Sequence, residues 1–116
     1  MYCRRIADVL QSRFRAPTLG VWSLKLDELL WDEWNEDHVL RHGIEPREVE
    51  EAVFDASSLV HRTRGRDQPR YVILGLTDAG RYLFVVLEPQ TGNRAYVITA
   101  RDMSDGERRR FKARGK

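Results

Sequence analysis

The sequence predicts an α+β fold, a small antiparallel sheet of three to five strands with two N-terminal helices and a C-terminal helix. Three observations predict it. Residues 32–55 hold two capped stretches of helical periodicity. Residues 59–100 hold short runs of β-branched and aromatic residues, separated by Gly, Pro, Asn and Asp. Ser104 and Glu107 then stand at the spacing of a capping box.

Taking the elements in order, Ile6, Val9, Leu10 and Phe14 fall at helical spacing, which favours a short amphipathic helix over 4–14. The run Ala16-Pro17-Thr18-Leu19-Gly20 breaks it. Residues 1–23 otherwise share little with the rest of the chain and read as a loosely held extension, with Val21 or Leu24 as alternative starts; a packed helix is the competing reading. The domain proper is placed at 24–116. Leu24 to Trp31 supplies a first strand, and Asp32 is suited to cap the next helix. Gly43 suits the C′ position that stops it, and Pro46 suits the first turn of a second helix with Val49, Ala52 and Val53 at core spacing. Asp55-Ala56-Ser57-Ser58 ends that helix. Leu59–Arg62 is a short strand, and 64–69 a loop. Tyr71–Leu76 and Tyr82–Leu87 flank the hairpin sequence Thr77-Asp78-Ala79-Gly80-Arg81. Residues 89–93 form the next turn, and Ala95–Ala100 the last strand.

Composition narrows the function. At 41% hydrophobic and 33% charged residues, the 116-residue chain reads as one globular domain without a run long enough to span a bilayer. Its single cysteine, Cys3, excludes an internal disulfide framework and a cysteine-based zinc site, and makes the reducing cytoplasm the expected compartment. The net charge of +2 conceals segregation. Residues 27–55 set eleven Asp or Glu against Arg41 and Arg47, a net −9, whereas residues 56–116 carry a net +7. A basic half with an arginine-rich tail attracts polyanions, although the halves could equally neutralise each other in the fold.

The candidate chemistry lies on the first helix and the last strand. At about 100° per residue, His38 and His42 share a stripe with Trp34, and Arg41 stands beside them. The histidines admit three readings. One is a metal pair, whose third ligand would have to be His61 or a carboxylate. A second is a structural pair packed on Trp31 and Trp34 and hydrogen-bonded to the sheet. The third is acid/base chemistry near neutral pH. Arg101 follows Val97 and Thr99 on one face of its strand, and Arg70 and Arg81 open the two central strands. Arginine's planar fork suits phosphate, while ion pairing to the acids of residues 27–55 is the plain alternative for each.

These segments also carry a resemblance. Trp31-Asp32-Glu33-Trp34-Asn35-Glu36-Asp37-His38 and Arg41-His42-Gly43-Ile44 resemble the opening of the BrnT-type toxin family. Arg70-Tyr71-Val72-Ile73-Leu74-Gly75, Gly80-Arg81-Tyr82-Leu83, Ile98-Thr99-Ala100-Arg101-Asp102-Met103 and Glu107-Arg108-Arg109-Arg110 match its later signatures in order. The resemblance covers roughly residues 24–112. It implies a RelE-like ribonuclease that cleaves RNA without metal or other cofactor. It also implies neutralisation by a cognate antitoxin, often of ribbon-helix-helix type. The family's basic-His-Gly signature falls on Arg41, His42 and Gly43, and its strand arginines on Arg70 and Arg101. The expected reaction is attack of an RNA 2′-hydroxyl on the adjacent phosphate. His42 and His38 would move protons, Arg41, Arg70 and Arg101 would hold the phosphate, and Arg81, Arg108 and Arg109 would bind substrate further out. A non-catalytic protein- or nucleic-acid-binding module of the same fold is the alternative.

Overall fold

The computed structural model describes residues 2–4, 26–63 and 69–113. Leu29, Leu30 and Trp31 are all buried, and this two-sided apolar run makes β2 (Glu28–Trp31) an interior strand. Asp32 then accepts from the backbone N–H of Trp34 and Asn35 and starts α1 (Glu33–Arg41). Gly43, at φ +76°, provides the left-handed residue that ends it. Pro46 opens α2 (Pro46–Val53), where Glu48 accepts from the Glu45 N–H.

Both helices lie on one face of a mixed sheet. It also comprises β1 (Tyr2–Arg4), β3 (Leu59–Thr63), β4 (Arg70–Leu76), β5 (Tyr82–Gln90) and β6 (Arg94–Asp102), in the order β1-β2-β6-β5-β4-β3. The chain leaves β2 at one side, crosses the face as α1 and α2, and re-enters at the far edge as β3. Three antiparallel steps then bring β6 back beside β2 in the same direction. The α+β class is as predicted, but an all-antiparallel sheet of at most five strands is not what forms. The β2–β6 pair is parallel, and the short β1 pairs antiparallel with β2 to make a sixth strand. The expected helix over 4–14 falls almost wholly outside the described residues, as does most of the 64–69 loop. Pro89 and Gln90, expected in a turn, extend β5 and pair with Ala95 and Arg94.

The main core fills the space between the helices and the sheet, with Trp31, Val39, Ile44 and Val49 against Ile73, Val85, Leu87 and Val97. The approach is close: a Cβ on Gly75 would lie 2.0 Å from the Ala52 carbonyl oxygen. The indole N–H of Trp31 donates to Glu50, itself fully buried, at 3.0 Å. Among the described residues, the opposite face is covered at one end only. There α3 (Asp105–Ala113) seats Phe111 against Leu74, Met103 and the edge of Tyr82. Its Ser104–Glu107 capping box forms as the sequence predicts.

One irregularity decides where functional side chains point. Val86 faces Thr99 but Leu87 faces Val97, so Ile98 is an extra residue in β6. A one-residue bulge exchanges the faces on either side of it. Val97 therefore points into the core, while Thr99 and Arg101 join Val86 and Phe84 on the open face. This corrects the expectation that Val97, Thr99 and Arg101 share one face.

Candidate functional site

Beyond Tyr96, β6 has outrun its β2 partner, and α1 lies along the edge so exposed. Unpaired strand carbonyls need donors, and α1 supplies them from its side chains. The Asn35 amide donates to the carbonyls of Leu30 (2.9 Å) and Val97 (3.1 Å), and the His42 ring donates from Nδ1 to that of Ala100 (2.8 Å). A carbonyl can only accept, so Nδ1 of His42 carries a proton and Nε2 presents the other ring position. His38 Nε2 meets the Thr99 hydroxyl at 2.9 Å. The two imidazole centroids are 4.9 Å apart, and His42 is exposed at the mouth of the pair.

Of the readings open for this pair, hydrogen bonding to the sheet is observed. Packing on both tryptophans is not: Trp31 is fully buried, whereas Trp34 is 82% exposed. The difference lies in helical phase, because the buried residues of α1 are Asn35 and Val39 and Trp34 falls off their stripe. His61, the candidate third metal ligand, sits on β3, three strands from β6 and so roughly 14 Å away. Among the described residues no three His, Cys, Asp or Glu side chains converge as a metal-ligand set.

The arginines divide by their partners. Arg101 is held by both oxygens of Glu107 at 2.9 Å and lies 3.7 Å over the Phe84 ring. Glu107 is held below the ordinary carboxylate range, first by this hydrogen bond. Arg81 donates to Asp102 (2.8 Å), to the Gly43 carbonyl (2.9 Å) and to Glu48 (3.2 Å), tying the β4–β5 turn to the α1–α2 corner. Asp102 is lowered by that bond in the same way. Arg41 pairs with Asp37 one turn back on the exposed side of α1. Arg70 is exposed at the start of β4, on the open face two residues from Val72, which aligns through Val86 with Thr99. Arg70 thus shares the histidine pair's face but stands roughly 12 Å from Thr99. Arg108 lies 4.7 Å over the Tyr82 ring, and Arg109 is exposed. Arg110 rims an open cleft of about 500 Å³ whose floor includes Leu59, Val72 and Phe84.

The fold thus gathers His38, His42, Thr99 and Arg101 at one end of the sheet, with Arg81 behind them and Arg70 farther along the open face. Sequence reasoning did not reach Thr99 and Ala100 as histidine partners or Glu107 as the partner of Arg101. It also missed the exposed Trp34, although the buried phase of Asn35 and Val39 was a usable signal.

Two comparisons bear on this arrangement. A family model described as the ribonuclease toxin, BrnT, of type II toxin–antitoxin systems matches residues 31–107, well over half of the chain. Its span includes both histidines, Arg41, Arg70, Arg81, Arg101 and Glu107, and stops just short of Arg108. No curated protein matches the chain.

Proposed function

The chain belongs to the BrnT family of ribonuclease toxins of type II toxin–antitoxin systems, and we propose that it is a metal-independent endoribonuclease of RelE-like type whose proton-transfer group is His42. The observation that carries this reading is the ring orientation of His42. The Ala100 carbonyl accepts the hydrogen bond from Nδ1–H, so Nε2 is the other ring nitrogen left for chemistry, with a second imidazole 4.9 Å away between centroids. In the proposed reaction Nε2 accepts the proton of an RNA 2′-hydroxyl. The 2′-oxygen forms a bond to the adjacent phosphorus, and the 5′-oxygen leaves with a proton delivered by the histidine pair. The products are a 2′,3′-cyclic phosphate and a 5′-hydroxyl. Arg41 and Arg70 draw the RNA backbone, and Arg101 stabilises the developing phosphorane charge after exchanging Glu107 for phosphate. Arg81, Arg108 and Arg109 bind the strand further out or shape the ends of the site.

The family implies an antitoxin partner; a ribbon-helix-helix protein acting in the cytoplasm is the proposed form. No described helix is long and apolar enough to cross a membrane.

His42→Asn is the informative test, because the Asn amide can replace Nδ1–H toward Ala100 while removing the proton-transfer nitrogen. RNA cleavage is expected to fall by about 10²–10⁴-fold with the circular dichroism and thermal midpoint retained. Chelator is expected to leave the wild-type rate unchanged, and induction without the antitoxin to arrest growth. Undiminished cleavage by His42→Asn would remove His42 from the mechanism. One observation favours a second reading, a binding module of the same fold: Arg81 and Arg101 are both held by carboxylates. A wild-type chain that binds RNA but does not cleave it would select that reading.

A further inference from the structure

Trp34 is 82% exposed, while the helix that carries it already buries Asn35 and Val39 in the sheet interface. Its place is rigid. Asp32 Oδ1 accepts the Trp34 backbone N–H at 3.0 Å, and the same carboxylate receives the hydroxyl of Tyr96 from β6. The ring therefore stands on a pinned first turn. Around α1, His42, His38 and Trp34 step away from the buried stripe by about 40° each, on the flank where His38 reaches Thr99 of the open face. That face carries Arg70 and Arg101. By the same helical phase Glu33 and Glu36 fall on the other flank, and Asp37, directly opposite the buried stripe, is paired with Arg41. Trp34 is the aromatic wall on the cationic side of an otherwise acidic helix.

We infer that Trp34 is the platform on which an unpaired RNA base stacks beside the phosphate held at the His38–His42 pair. This rests on the ribonuclease reading above and adds to it a substrate class, single-stranded RNA or the unpaired loop of a folded one. One helical turn separates Trp34 from His38, roughly 6 Å along the axis, comparable with the reach from a phosphate to a base of the adjoining nucleotide. A flat indole face takes any base but not a paired one, so it selects for strandedness and, through stacking area, for purines.

The test uses a short 2′-O-methyl oligonucleotide, which cannot be cleaved, and the same strand with an abasic site walked along it. Trp34→Ala is expected to weaken binding about tenfold, the order of one base–aromatic stack, and Trp34→Phe to restore most of it. At one position the abasic strand should bind the wild type about tenfold more weakly, yet bind Trp34→Ala no worse than the intact strand does. Circular dichroism should be unchanged in both variants. If Trp34→Ala binds and cleaves RNA as the wild type does, the inference is wrong while the ribonuclease reading stands. Loosening of the antitoxin complex alone would then assign the ring to the protein partner. A wild type that neither binds nor cleaves RNA overturns the ribonuclease reading and this inference with it.

Discussion

Arg101 is gripped from three directions, by the two oxygens of Glu107, by the Phe84 ring and by the Asp102 carbonyl. If it serves phosphate, RNA must compete with an internal carboxylate, and the pair becomes an adjustable resistance to binding. The same pair has a pH signature. Hydrogen bonding to Arg101 holds Glu107 below its ordinary value, so its contribution is complete above about 4.5 and is lost as pH falls through the lowered folded value. Arg101 is 42% exposed, so solvent screening keeps this to about 1 kcal/mol or less. Glu107→Gln is expected to flatten the acid limb of the stability curve, measured by urea unfolding between neutral pH and the acid range. The same variant should also bind RNA more tightly. An acid limb as steep as that of the wild type would place the titration elsewhere, with the lowered Asp102 beside Arg81 the next group to examine.

At the scale of elements, the site depends on two departures from regular pairing. The bulge at Ile98 turns Arg101 and Thr99 to the open face, and the early end of β2 leaves carbonyls of β6 that α1 side chains satisfy. Helix α1 is positioned in turn through the α1–α2 corner, and α2 is seated where β4 has no side chain. At Gly75 a methyl group would meet a backbone carbonyl at 2.0 Å, a clash no rotamer change relieves. Gly75→Ala is therefore expected to destabilise the fold by about 3 kcal/mol or more, read as a lowered urea midpoint. A normal midpoint would show that α2 can ride outward without loss. The grip on α3 is lighter, since Phe111 is its buried residue.

For the whole molecule, charge is partitioned by face. The acids of residues 27–55 lie mostly on the helical layer, while the open face and α3 carry Arg70, Arg101 and the Arg108–Arg110 run. An inhibitor that covers the basic side with acidic groups would be steered to it, with a salt-sensitive association rate. Replacing Arg108, Arg109 and Arg110 together with Gln is expected to slow antitoxin association markedly at low salt and much less at high salt, as read by stopped-flow mixing. An unaltered low-salt rate would make the run a solvated helix face. Residues 24–116 are expected to fold without the segment before them, because every described core residue lies at or after Leu26. A chain beginning at Leu24 loses the three-residue β1 ladder and should keep its thermal midpoint within about 5 °C, the shift that about 1 kcal/mol produces. A much larger drop would show that the segment packs into the core.

What the sequence determined by itself is local. Asp32, Pro46 and the Ser104–Glu107 box marked the start of each described helix and Gly43 the end of the first, because caps and breakers act within one turn of the residue that supplies them. The hairpin between β4 and β5 was legible for the same reason. So was the shared stripe of His38 and His42, which helical spacing alone imposes. Tertiary structure decided everything that required a partner far along the chain. The hydrogen-bond partners of the two histidines are some sixty residues away, and no periodicity on α1 names them. Val97 and Arg101 are four residues apart, and simple alternation would put both on one face; the bulge that separates them arises in the pairing of β6 with β5. Trp31 and Trp34 are the same residue type three positions apart, one fully buried and one exposed. The parallel placement of β2 buries the first, and the rotation of α1 against the β6 edge leaves the second in water.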